Sequence, residues 1–398
     1  MSQGHDPVRQ ANYLIQVLAQ EKRPLGLFLS GGCPMAVKVL VGGSETPLIP
    51  GIDGITKGIH DKLMTSPDKE LFEKICSHFA TDHRNEPSVE DLLTHIRALR
   101  QVAGNDSVRG LRAADLEALD REICEVIVGV VDKSLPANDT PYHKVAAWIG
   151  AVTRSQPVEI FTPNYDLLME QALEENRIPY FDGFVGSHHA FFDPYAMEED
   201  ALPPRWARLW KLHGSINWRQ DQNGVVSRGE KASPSERRVI HPSHLKYDES
   251  RQMPYLAMID RLRSFLKRPS SALVICGYSF RDDHLNANLV QGVQGNPTTV
   301  VFALLYGMLT NYGTALKLAT NRANFSLLAE DGAVIGTKQA SWADKEGEEI
   351  GSLSPAVEWV AKDPAAGDIR QARFTLGDFA RFGYFLGELL GVEGGKEE

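Results

Sequence analysis

The stretch IFTPNYDLLMEQALEEN, residues 160–176, decides how the chain is read. It continues an apolar run, VEIFT (158–162), breaks at a polar Asn-Tyr-Asp, and passes straight into an amphipathic helical pattern. A short apolar run followed by a 3.6-residue periodicity marks a strand feeding a helix. Other runs behave alike: LGLFL (25–29) ends in SGGCP, RLWKLHG (208–214) leads into SINW, and SALVICG (271–277) into YSFRDDHLN. TTVVFALLY (298–306) is a further candidate strand, and helical patterns such as MPYLAMIDRLRSFLK (253–267) lie between the runs. Strands alternating with helices imply parallel strands joined by helical crossovers, so the expected class is α/β with a doubly wound parallel sheet.

The chain has 398 residues, 42% of them hydrophobic, enough for one large core or two modest ones. Its formal charge of −10 supplies no global field for nucleic acid, and no direct nucleic-acid binding is expected. No apolar run reaches the ~20 residues that span a bilayer, and the N-terminal MSQGHDPVRQANYLIQ lacks the apolar core of a secretory signal, so no membrane contact and a cytoplasmic location are expected. Cys33, Cys76, Cys124 and Cys276 are far apart, with no C-x-x-C pair, and read as isolated buried thiols rather than as a zinc ribbon or a disulfide framework.

Between the first two strand candidates, residues 70–155 read as a helical insertion. There Ser88 and Asp91 form the pattern of a capping box, and Val89, Leu92, Leu93, Ile96 and Leu99 share one helical face. A second stripe runs Leu116, Leu119, Ile123, Val126 or Ile127, and Val130. Residues 182–250, rich in Pro, His, Ser and charge, read as loops over the site. Further on, NFSLLAEDGAVIG (324–336) suggests a hairpin, KQASWADKEGEEIGSLSP (338–355) a mobile connection, and RFTLGDFARFGYFLGELLG (373–391) a closing helix before a frayed tail. The division expected is a domain over 1–310, interrupted by the insertion, and a C-terminal extension over 311–398 that packs on it or mediates oligomerisation. Two apolar faces, Tyr13, Leu14, Val17 and Leu18 near the N-terminus and Phe379, Phe382, Phe385 and Leu386 near the C-terminus, are candidate oligomer surfaces or ordinary core-packing faces.

In open α/β sheets ligands bind outside the carboxyl ends of the strands. Four candidate strands end in polar or Gly-containing sequence: SGGCP, TPNYD, KLHGS and CGYSFRDDHLN. Each tip has a structural alternative. Gly31 and Gly32 can serve a tight turn, Asn164 and Asp166 can cap a helix, His213 can be a hydrogen-bonded core residue, and Asp282 and His284 can cap the helix that follows. Their joint occurrence at successive strand ends argues for one shared site.

Together these four tips resemble the sirtuin-like domain of the silent information regulator family, in the form found in its bacterial antiphage-defence branch. The resemblance runs over roughly residues 25–290 and implies a Rossmann-like, NAD-binding fold. It places Ser30, Gly31, Gly32 and Cys33 in the family's Gly-Ala-Gly-x-Ser turn beside the dinucleotide phosphates; Ser30 stands here for the first Gly and Pro34 for the Ser. Asn164 matches the Asn of the Thr-Gln-Asn-x-Asp motif, by the ribose and the attacking water, Asp166 its Asp, near the nicotinamide pocket, and Thr162 lies in the same segment. His213 matches the catalytic His and Gly214 the Gly after it. Gly277 and Ser279 match a third nucleotide-contacting turn, and Asp282, His284 and Asn286 fit the GYSFxDxHxN form of the bacterial branch.

The resemblance implies catalytic roles for Asn164, Asp166 and His213, NAD as substrate, and no metal. A conventional acyl-lysine groove beside a four-cysteine zinc ribbon is not expected, since the cysteines for it are absent. With water as acceptor, the resemblance implies an NAD glycohydrolase, expected to be an abortive-infection effector gated by homo-oligomerisation or by a HerA-type hexameric ATPase partner. The alternatives are ADP-ribosyl transfer or deacylation, a module that binds NAD or ADP-ribose without turnover, and a nuclease effector acting with an ATPase. Asn164→Ala and His213→Ala are expected to abolish turnover and spare the fold, both residues lying at exposed strand ends. Cys33→Ser is expected to be nearly silent.

Overall fold

The computed structural model of the chain describes residues 4–81, 87–199, 201–221, 223–229, 237–240, 253–346, 356–361 and 369–391. Its centre is a nine-stranded sheet. We label its strands β1 (Leu25–Leu29), β2 (Val158–Thr162), β3 (Tyr180–Phe181), β4 (Ala207–Lys211), β5 (Ala272–Cys276), β6 (Val300–Leu304), β7 (Phe325–Leu328), β8 (Gly332–Ile335) and β9 (Lys338–Ser341). The spatial order is β9-β8-β7-β6-β5-β1-β2-β4-β3. From β7 to β3 every neighbouring pair is parallel, and β8 and β9 add an antiparallel edge. The chain builds outward from β1 to β2, β3 and β4, then returns to β1's other side for β5 to β9, so the topological switch lies beside β1. This is the doubly wound α/β class expected from the alternation of patterns.

The strands read as unbroken apolar runs because both faces are covered. Leu25, Leu27, Val158, Ile160, Val274 and Cys276 face one core, shared with Leu14 of helix Pro7–Ala19, Val145 of helix Pro141–Ala151 and Phe382 of helix Phe379–Glu388. Phe28, Phe161, Trp210, Leu273 and Ile275 face the other, shared with Leu262 of helix Tyr255–Lys267 and Leu289 of helix Asp283–Gly295. Period-two alternation is thus present, but hydrophobic on both sides.

The helical insertion comprises Lys69–Thr81, Val89–Ala103, Ala113–Val131 and Pro141–Ala151, preceded by Ile52–Leu63. The capping box forms: Ser88 Oγ accepts from Asp91 N at 3.2 Å, and Asp91 Oδ2 accepts from Ser88 N at 3.1 Å. Of the two candidates left open in the second stripe, Ile127 is the buried one.

Two sequence readings need correction. Residues 182–250 are not only loops: their described part contains a five-stranded sheet, ordered Arg237–Ile240, Gly214–Gln220, Val226–Arg228, Ala190–Phe192, Phe184–Val185. Four of its strands have only two to four residues, too short for periodicity to betray them among polar neighbours. The connection read at 338–355 begins with a true strand, β9, paired to β8 with Ala333 opposite Ala340; residues 347–355 lie outside the described residues. The hairpin of 324–336 is present, with Leu327 opposite Val334. It extends the main sheet from within the segment set apart as an extension.

Both apolar faces weighed as oligomer surfaces are turned inward. Leu14, Val17, Leu18, Phe379, Phe382, Phe385 and Leu386 are all buried, and only Tyr13 is exposed. A Cβ on Gly383 would stand 2.8 Å from Pro141 Cα, so the C-terminal helix sits tightly on its neighbour. Among the described residues no helix is long and apolar enough to cross a membrane.

Candidate active site

Sheet register brings the four tips into line. Leu29 of β1 stands opposite Cys276 of β5, Phe28 opposite Phe161 of β2, and Thr162 of β2 opposite Lys211 of β4. The next residues of each strand therefore emerge together at the carboxyl edge, on both sides of the switch point.

At β1 the backbone folds tightly. Ser30 N donates to Cys276 O (3.1 Å), Cys33 N to Ser30 O (2.8 Å) and Gly32 N to Gly277 O (2.8 Å). The last bond presses two glycines together: a Cβ on Gly32 would lie 2.7 Å from Gly277 Cα, and one on Gly277 would lie 2.7 Å from Cys33 N, at a φ of +71°. Gly32 and Gly277 thus answer to each other. Gly31 differs, since no heavy atom lies within 4 Å of where its Cβ would stand and its N–H makes no hydrogen bond among the described residues. Of the turn expected to meet phosphates, Gly31 is the residue left open. Ser30 and Cys33 are buried, and the Cys33 thiol donates to Cys276 O at 3.4 Å. Burial first, and then the neighbouring Cys276, push that thiol far up, so it stays protonated.

At β2, Thr162 is buried, its Oγ1 accepting from Asn164 N (3.1 Å) and its carbonyl from Leu212 N (2.7 Å). Asn164 does not cap the next helix. Its carboxamide makes no hydrogen bond among the described residues and is half-buried. Asp166 is the residue that ties down the helix start, with Oδ1 accepting from Leu168 N at 3.1 Å. Its carboxyl is buried, and burial holds it above the usual carboxylate range despite the nearby Lys211 ammonium.

At β4, the Leu212–Thr162 bond sets His213 beside the Asn164 turn, and Ile216 N donates to Tyr165 O at 3.1 Å. Gly214 follows with a φ of +88°. His213 is buried at 7% exposure, not at an exposed strand end as the sequence suggested. Its Nε2 lies 3.3 Å from Asp282 Oδ2.

Asp282 has two jobs. Its Oδ1 accepts from His284 N (2.9 Å) and Leu285 N (3.0 Å), capping helix Asp283–Gly295, while Oδ2 faces His213 with no aligned hydrogen bond. Burial raises its carboxyl, but His213 and the capping N–H groups outweigh that and hold it below the usual range. The Tyr278 hydroxyl braces this loop, 3.1 Å from Asp282 O and 2.9 Å from Asn286 Oδ1, and Asn286 Nδ2 donates to Phe280 O at 2.9 Å. Burial, and then the carboxylates of Asp282, Asp283 and Glu90, push the Tyr278 phenol well up. Glu90 belongs to the first turn of Val89–Ala103, in the helical insertion. Ser279 is exposed and His284 half-buried. Among the described residues no cluster of three His, Cys, Asp or Glu is arranged to hold a metal.

Residues 158–325 match the SIR2-like domain family. The matched SIR2-like segment runs from β2 into β7 and contains Asn164, Asp166, His213, Gly277, Ser279, Asp282 and His284, but not the turn after β1. A solved structure described as "Structural Basis for the Mechanism and Regulation of Sir2 Enzymes" is 14% identical, covering 75% of this chain and 86% of that one at a TM-score of 0.36, a likeness too distant to carry structural argument. No curated protein matches the chain.

The sequence reading missed Lys211, Glu170 and Tyr142, which lie beneath the candidate site. The ammonium of Lys211 pairs with Glu170 Oε1 at 3.0 Å and donates to the Asp166 carbonyl. The signal was available: a lysine inside an apolar strand must find a buried partner.

Proposed function

We propose that this crevice binds NAD and that the chain is an NAD glycohydrolase, releasing nicotinamide and ADP-ribose. The observation that carries the reading is the His213–Asp282 pair, formed at the sheet edge where the Asn164 turn also emerges, in a segment that matches the SIR2-like family, with the Asn164 carboxamide uncommitted among the described residues. Breaking the nicotinamide C–N bond leaves positive charge on the ribose, which a fixed amide dipole and a carboxylate stabilise without reorganising. Asn164 and Asp166 offer those two groups. An imidazole accepts a proton near neutral pH, and Asp282 orients His213 to do so. The open space at Gly31 fits close approach by a dinucleotide, as does its free N–H. The chain has no four-cysteine unit with which to build the acyl-lysine groove of familiar deacylases, which favours water as the acceptor.

In the cell, unregulated loss of NAD is toxic. We place the chain in the cytoplasm as an antiphage effector, held in check by homo-oligomerisation or by a HerA-type ATPase partner. This rests on the resemblance of SGGCP, TPNYD, KLHGS and GYSFRDDHLN to the defence branch.

The test is release of nicotinamide and ADP-ribose from NAD by the purified chain, alone and with an operon-encoded ATPase, with Asn164→Ala as control. Release that disappears in a variant of unchanged melting temperature supports hydrolysis. NAD binding without release in either setting sinks it in favour of a binding module. Transfer of label from NAD to protein would mean ADP-ribosylation instead.

A further inference from the structure

We infer that Lys211 is a positioning residue that locks the Asn164–Asp166 turn to the strand carrying His213. The inference rests on the NAD-cleaving reading of the same crevice. Every residue of β4 is buried, and the Lys211 side chain is only 2% exposed. Lysine is almost never buried this deeply unless paired. Its ammonium reaches across to the β2 tip, donating to the Asp166 carbonyl and pairing with Glu170 Oε1. His213 lies two residues further along the same strand end. One side chain therefore fixes the distance between the two halves of the candidate site.

Charge in this buried group is unbalanced. The groups interacting electrostatically with Asp166 are Lys211 from β4, Glu170 from helix Leu168–Glu175, the Tyr142 hydroxyl from helix Pro141–Ala151 and the Cys33 thiol from the turn after β1. Glu170 Oε2 and the Tyr142 hydroxyl have no hydrogen-bond partner among the described residues. Among the described residues one cation, Lys211, thus serves the buried Asp166 carboxylate and the partly buried Glu170 carboxylate. A buried ion pair is weak evidence for stability, since apolar replacements often serve as well. What the apolar replacement would lack is the hold on the Asp166 carbonyl and the opposition to burial at its carboxyl. Lys211 resists the upward push that burial gives Asp166, whereas Glu170 adds to it.

The experiment compares wild type, Lys211→Met and the charge-balanced Lys211→Met/Glu170→Gln, which stays interpretable if the single variant fails to fold. Two readouts are taken: the carboxyl titration of Asp166 by carbon-13 NMR, and the pH dependence of nicotinamide release. In folded Lys211→Met the Asp166 midpoint should rise by about one pH unit or more, as loss of a close opposite charge predicts, and in the double variant, which also loses the upward push of Glu170, it should rise less. The acid limb of kcat should move up with it. Misplacement of the turn should lower kcat on the order of 10- to 100-fold, with KM for NAD changing little. An unmoved midpoint and acid limb in folded Lys211→Met, or an unchanged kcat in the folded double variant, would overturn the proposal and leave Lys211 a packing residue. A wild type that releases no nicotinamide while the Asp166 midpoint still moves would sink the hydrolase reading and leave the hold of Lys211 on Asp166 standing.

Discussion

His213 Nε2 and Asp282 Oδ2 lie 3.3 Å apart although their strands are not neighbours in the sheet. β1 and β2 separate β4 from β5, roughly 14 Å of sheet at the usual strand spacing. The contact therefore bridges the mouth of the crevice. Asp282→Asn keeps a good helix cap and loses the charge. Turnover should fall on the order of a hundredfold, the scale of a disabled acid–base group. Because the folded-state value of Asp282 is depressed, its stabilisation is present above the ordinary aspartate range near 3.9 and is lost as pH falls through the lower folded value. The variant should thus melt below wild type at pH 7, with the gap closing in strong acid. A constant gap at all pH values would mean that the charge contributes nothing.

The glycine turn separates architecture from binding. Gly277→Ala forces a side chain into a backbone at φ +71° and against Cys33 N, so it should destabilise by at least the ~1–2 kcal/mol of a left-handed non-glycine residue. Gly31→Ala meets open space at φ −55° and should change stability by less than about 0.5 kcal/mol. Calorimetry should nevertheless show weaker NAD binding for Gly31→Ala. Unchanged affinity would mean that the ligand does not approach the turn after β1.

The sheet was legible because strands covered on both faces stand out as apolar runs, and LGLFL, VEIFT and SALVICG need no tertiary information to be seen. The capping box of Ser88 and Asp91 was legible for the same local reason. The small sheet over 184–240 was not, since four of its five strands have only two to four residues and their pairing is decided by neighbours distant in sequence. At the site, residue types at strand tips pointed to His213 and Asp282 separately, but not to their contact across two intervening strands. Capping was the right reading for Asp282 and the wrong one for Asn164. That difference depends on loop geometry, which periodicity does not encode.

Asn164 and His213 should part company in stability, though both should lose turnover. The Asn164 carboxamide has no bond to lose among the described residues, so Asn164→Ala should melt like wild type. His213→Ala removes the imidazole that faces the buried Asp282 Oδ2 and opposes the upward push of burial on that carboxyl, so it should melt below wild type at pH 7. Equal melting of the two variants would show that water replaces the imidazole there.

Asp166 offers the opposite sign. Burial raises its folded-state value, so between the ordinary aspartate value near 3.9 and that raised value the native protein binds more protons than the unfolded chain. Stability therefore falls as pH rises through this window, and ionised Asp166 is a net burden at neutral pH. Asp166→Asn retains an oxygen for the Leu168 N–H and carries no charge. It should melt above wild type at pH 7, with the advantage shrinking below pH ~4, where the native carboxyl is already protonated. Nicotinamide release should nonetheless be lost, because in the proposed reaction the carboxylate that destabilises the fold is the one that stabilises charge on the ribose. A variant both less stable at pH 7 and catalytically intact would show that Asp166 holds the β2 turn and takes no part in the reaction.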